Sequence, residues 1–89
     1  MRFLYFICSM ANRDKYAKKQ LSNFGNRLKQ LRKAKGFSSA EKFANHYDIN
    51  RVQYGRYETG SNIRLDTLFV LLKAMDISLE TFFSEGFEE

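Results

Sequence analysis

Apolar residues recur at helical spacing through most of the 89-residue chain, and no run alternates as a strand does between Leu21 and Phe83. Leu21, Phe24, Leu28 and Leu31 form one stripe, which predicts a first helix from about Lys19 to Lys35 with Gly36 as its stop. Phe43, Ala44 and Tyr47 follow at i, i+1 and i+4, giving a second short helix with one apolar face. Val52, Tyr54 and Tyr57 cluster on one side of a third. Gly60, Ser61 and Asn62 read as a loop. Leu68, Leu71, Leu72 and Met75 predict a fourth helix over Leu65 to Met75, and Leu79, Phe82 and Phe83 belong to a fifth capped by Ser78. The expected fold is all-α, with five helices.

The second and third helices carry the most information. Only Asp48, Ile49 and Asn50 lie between them, so the chain must reverse sharply and the two axes must cross steeply. Asp48 tolerates the left-handed conformation that ends a helix. Ile49 is placed as an apolar plug, and Asn50 is a good N-cap for the third helix. Ser39 can cap the second, while Ser38 offers another register with Glu41 as its capping-box partner. A second helix projecting from such a turn has the geometry of a helix-turn-helix, whose exposed helix enters the major groove of DNA. An ordinary helical hairpin in a bundle is the plainer alternative.

Charge sharpens this picture. The net charge is +5, which favours an anionic partner. Residues 11–35 hold nine Lys/Arg against Asp14 alone, whereas residues 76–89 hold five acids and no Lys or Arg. One end is suited to phosphates and the other is not, although a solvated lysine-rich helix face would look the same. The absence of proline permits long helices. A single Cys excludes an intramolecular disulfide and suits a reducing cytoplasm. One Cys and one His cannot build a zinc site of known spacing, so no metal or cofactor is expected. His46 has no recognisable catalytic partner, no glycine-rich phosphate loop or carboxylate pair is visible, and the chain does not read as an enzyme.

Met1 to Met10, MRFLYFICSM, stands apart. The six apolar residues Phe3–Cys8 are too short for a membrane span. In order of preference, translation begins at Met10, the segment is a β-prone arm that pairs with another chain, or it is a remnant export signal. The expected organisation is an N-terminal arm over 1–18, a single helical domain over 19–84 and an acidic tail over 85–89.

From about Phe24 to Phe83 the chain resembles the phage-repressor type of helix-turn-helix domain, the Cro/repressor or XRE family. Leu31-Arg32 with Lys35-Gly36 is similar to the ending of that family's first helix. Phe43-Ala44 is similar to its Leu-Ala pair, Ile49-Asn50-Arg51 to its turn, and Tyr57-Glu58-Thr59-Gly60 to its aromatic-Glu-x-Gly signature. Leu65, Leu68, Met75, Ile77, Leu79 and Phe82-Phe83 resemble its closing helices. Four departures stand out. Ala40 replaces the Gln that holds a phosphate, and the link after Gly36 is one residue longer than usual. Asp48 replaces the turn glycine, and Ile63 replaces a proline. The resemblance implies a sequence-specific DNA-binding regulator.

On that frame the third helix can be read for chemistry. Arg51, its first residue, can reach guanine O6 and N7 or a flanking phosphate, and Gln53 can pair bidentately with adenine. Val52 either joins the core or touches a thymine methyl. Arg56 completes the expected base contacts, although a solvated polar face is the alternative for Arg51, Gln53 and Arg56. Expected phosphate contacts are Arg27, Lys35, Asn50, Ser61, Asn62 and Arg64. Tyr54 reads as core. Gly55 costs about 1 kcal/mol of helix propensity relative to Ala, which suggests close approach of DNA or of a neighbouring helix. Glu58 would repel DNA. An ion pair with Arg32 is the better reading, and the resemblance supports it.

A repressor that occupies an operator is the leading function, with no room for a ligand-sensing domain. The alternatives are an antitoxin that binds a toxin and its own promoter, and a protein-interaction adaptor that has lost DNA binding. A weak homodimer is expected through the acidic, phenylalanine-rich end, where some of Leu79, Phe82, Phe83 and Phe87 pack on the first and fourth helices and one or two remain for a partner, with the Phe3–Cys8 arm as a second contact.

Overall fold

A computed structural model describes residues 10–87, with side chains from 14 onward. The Phe3–Cys8 segment, and with it the readings of an arm or an export signal, lies outside the described residues. Five helices follow in order: α1 Met10–Ala34, α2 Ala40–His46, α3 Arg51–Glu58, α4 Leu65–Ala74 and α5 Leu79–Phe83. Among the described residues there is no strand.

The helix ends explain this spacing. At the end of α1, Phe37 N–H donates to Arg32 O at 3.2 Å and Gly36 N–H to Lys33 O at 3.0 Å. The same paired bonds recur at Ile49→Ala44 with Asp48→Asn45, at Ser61→Arg56 with Gly60→Tyr57, and at Ile77→Leu72 with Asp76→Lys73. Each is a Schellman cap, which turns the last carbonyls inward and needs one left-handed residue. Gly36 and Gly60 supply that conformation at two ends. Asp48 at φ 56° and Asp76 at φ 57° supply it at the others. Asp48 thus takes the place of the usual turn glycine, as its side chain allows. At the opposite ends Ser39, Asn50 and Ser78 cap α2, α3 and α5 through side-chain oxygens. The Ser38 register is not used: Ser39 Oγ accepts from Lys42 N–H at 3.1 Å.

α1 starts nine residues before the expected Lys19. Residues 11–18 contain neither Gly nor Pro, and extending a formed helix avoids the cost of nucleating a new one. This stretch carries no core stripe, so apolar periodicity could not reveal it; Asp14 to Lys19 are exposed. Residues 10–18 therefore continue α1. At the other end Glu85 and Phe87 are also tied in: Glu85 pairs with Arg27 at 2.9 Å, and the Phe87 ring lies 5.9 Å from that of Phe82.

The core is built from Phe24 and Leu28 of α1, Phe43 and Ala44 of α2, Tyr54 and Tyr57 of α3, Leu68, Leu71 and Leu72 of α4, with Met75 and Phe82. Ile49 is half-buried against it, as a plug between α2 and α3 should be. Val52 does not share the inward face with Tyr54 and Tyr57 and is 59% exposed. At 100° per residue it lies well round the helix from Tyr54, and Glu58 takes the third inward position. Gly25 is the point where α1 meets the end of α3. A Cβ there would come 2.7 Å from Glu58 C and 2.8 Å from Tyr57 O, so only glycine fits.

Candidate nucleic-acid interface

Tyr54, Tyr57 and Glu58 point α3 into the core, and this fixes which residues it shows to solvent. Val52 and Arg56 are one helical turn apart and lie opposite the buried trio. Arg51 and Gly55 occupy one flank and Gln53 the other. Arg51, Val52, Gln53 and Arg56 are all exposed, so the four expected base-contact residues share one accessible surface.

Their surroundings differ. Arg51 Nη1 donates to Glu41 Oε2 at 2.7 Å, and both side chains are more than half exposed. An exposed pair of this kind is weak and screened by salt. It points Arg51 toward the start of α2. Gln53 Nε2 donates to Tyr57 Oη at 3.1 Å, while the Gln53 backbone N–H donates to the Asn50 cap at 2.9 Å. The bond to Tyr57 uses one of the two amide hydrogens and leaves Oε1 and the second hydrogen free. That contact lies at i, i+4, a spacing the sequence does show.

The expected phosphate contacts divide more sharply. Lys35, Asn50, Ser61, Asn62 and Arg64 are exposed. Arg64 holds Asp66 at 3.2 Å, but its side chain remains 84% accessible. Arg27 is different: it is 5% exposed and each guanidinium nitrogen is occupied. Nε donates to Phe82 O at 2.8 Å, Nη2 to Thr81 O at 2.7 Å, and Nη1 to Gln30 and Glu85 at 2.8 and 2.9 Å. Arg27 therefore anchors α5 to α1 from a buried position, with its hydrogen bonds directed into the protein. It sits beside Leu28 on the inward side of α1, and its charge in a basic run concealed that position.

Arg32 and Glu58 pair as expected. Nε donates to Glu58 Oε2 at 2.7 Å and Nη2 to Oε1 at 3.1 Å, with both side chains 6% exposed. Arg32 Nη1 also donates to Phe37 O at 2.9 Å. The Glu58 hydrogen bond raises the Arg32 pKa above its ordinary value, outweighing the effect of burial. Burial, reinforced by Glu58, pushes the Tyr54 phenol far above its usual range. Tyr54 is fully buried, as a core residue should be. The bidentate fork locks the end of α3 onto α1 and so fixes the angle at which α3 projects.

Among the described residues no cluster of His, Cys, Asp and Glu is arranged to hold a metal ion, and no helix is long and apolar enough to cross a membrane. His46 lies against the Phe37 and Tyr47 rings at 5.0 and 4.7 Å.

A tightly capped helix pair, an outward polar face on its second member and a buried Arg–Glu lock are the parts of a DNA-reading module. The helix-turn-helix family model matches residues 28–82, and the chain belongs to that family, in its Cro/repressor (XRE) branch. It is a DNA-binding transcriptional regulator. Among individual proteins, it is 40% identical over 63 residues to the control protein C.MunI of a Mycoplasma species, an alignment covering 70% of this chain and 85% of that protein. No solved structure matches the chain.

Proposed function

We propose that the protein represses transcription from the cytoplasm by occupying an operator as a two-fold pair, with α3 of each copy in the major groove and without catalysis. The observation that carries this is the solvent face of α3, where Arg51, Val52, Gln53 and Arg56 stand together while Tyr54, Tyr57 and Glu58 hold the helix from behind. Lys35, Ser61, Asn62 and Arg64 would flank it on phosphates. The name of the Mycoplasma relative, a control protein, supports a regulatory role over an antitoxin or adaptor role.

Selection from a random pool of duplexes, followed by titration of variants, tests this reading. Arg56→Ala should cost about 1–3 kcal/mol on the selected site and relax choice at one base position. Lys35→Ala should weaken all duplexes alike and flatten the salt dependence. Identical behaviour of the two variants would show the orientation of α3 to be wrong. Failure to select any duplex would favour the adaptor.

One α3 reads only a few base pairs, whereas a two-fold dimer places two roughly 34 Å apart on one face of DNA. Of the four residues at the phenylalanine-rich end, Phe82 packs in the core and Phe87 is half-buried. Leu79 and Phe83 remain exposed, as do Leu65, Phe69 and Val70 of α4. A second copy would cover part of this surface. Light scattering should give a monomer–dimer equilibrium that shifts to two chains per palindromic duplex. One chain per duplex on a non-palindromic site would refute the pairing.

A further inference from the structure

Four of the five glycines have a reason within the single chain. Gly36, Gly60 and Gly86 have positive φ, and Gly25 lies against the backbone of α3. Gly55 has neither. It stands in the middle of α3 in ordinary helical conformation, and a Cβ added there would meet nothing within 4 Å. Glycine weakens a helix interior more than any residue except proline, so α3 carries a cost that its own fold does not require. Among the described residues no neighbouring helix comes within 4 Å of that Cβ, which leaves close approach of DNA as the other explanation.

The position suggests what does approach. Gly55 follows Arg51 by one turn on the same flank of α3, the flank that Arg51 turns toward Glu41 and the start of α2. Val52 and Arg56 occupy the outward centre instead. A helix seated in a major groove meets base edges at its centre and sugar–phosphate walls along its flanks. Gly55 leaves bare backbone between Arg51, which is itself paired with Glu41, and Arg56.

We propose that Gly55 is a clearance site for one sugar–phosphate strand of the operator, letting α3 sit closer to that wall than any side chain would permit. This rests on the operator-binding function proposed above, and names the part of the DNA that α3 meets on one flank. Removing clearance should weaken binding without changing which bases are preferred, because the strand carries no base identity.

The test uses the full chain and the duplex that the wild type selects from a random pool. Gly55→Ala should melt higher by roughly 4–8 °C, as expected for a restored helix former in a small domain. It should also bind that duplex about tenfold more weakly, a loss of about 1.4 kcal/mol. Gly55→Leu should bind more weakly still, and both variants should rank single-base changes in the duplex as the wild type does. Unchanged or tighter binding by Gly55→Ala would overturn the proposal. So would equal losses for Ala and Leu, which would indicate helix flexibility, or an altered preference at one base, which would put Gly55 against base edges. A lower melting temperature for Gly55→Ala would show that the monomer itself needs the glycine. If the wild type selects no duplex, both this proposal and the function beneath it fall.

Discussion

Replacing Glu58 by alanine is expected to cost about 3–5 kcal/mol of folding stability, because it leaves a buried guanidinium without its counter-charge. Arg32 and Glu58 are each 6% exposed and joined by two hydrogen bonds, so water cannot readily take the place of the lost carboxylate. Small domains have only about 5–15 kcal/mol in total, so a large share of the molecules should unfold at modest urea concentration. The double replacement Arg32→Met with Glu58→Leu should recover much of the loss, since it removes both charges together. Recovery should stop short of wild type, because Arg32 also donates to Phe37 O at the end of α1. Urea midpoints for the three chains decide the matter. A midpoint unmoved by Glu58→Ala would mean that the pair contributes nothing.

Gly25→Ala should be nearly as damaging. The added methyl would press on Glu58 C at 2.7 Å and Tyr57 O at 2.8 Å. Both are backbone atoms, which cannot rotate aside as a side chain would. One whole helix must slide, and a cost of about 3 kcal/mol is expected, at the upper end for an overpacked site. The displaced segment contains Glu58, so the Arg32 fork should loosen as α3 moves. Operator binding should therefore fall even though Gly25 lies outside the proposed DNA surface. Thermal unfolding, paired with a DNA titration of the fraction that remains folded, reads both effects. A melting temperature equal to the wild type would show that α1 and α3 do not meet this closely.

Both residues illustrate what could and could not be read along the chain. The capping residues Ser39, Asn50 and Ser78, and the turn at Asp48, were legible because a helix end is decided by neighbours in sequence. The Arg32–Glu58 pair was legible through resemblance to a family whose motif contains both positions. Gly25 was not: its neighbour lies more than thirty residues away, and a glycine inside a helix leaves no periodic mark. The burial of Arg27 is not legible either, since a basic residue in a basic run gives no sign that its partners are carbonyls of Thr81 and Phe82. Val52 stays open between core and thymine contact in the sequence, because three apolar residues in an eight-residue helix do not fix a face. Gln53 and Tyr57 are four apart, a spacing at which side chains meet on a helix, so their contact is legible in the sequence.

The Arg27 anchor also bears on where the domain can be cut. The family-matched segment runs from Leu28 to Phe82, and the residues that close the molecule straddle its limits. Arg27 and Phe24 lie just before it, while Glu85 and Phe87 lie just after. A fragment trimmed to the matched boundaries would strip α5 of its clasp and lay open one side of the Phe82 ring. The smallest piece able to stand alone is thus wider than the motif that identifies it, with Arg27 fastening its first helix to its last.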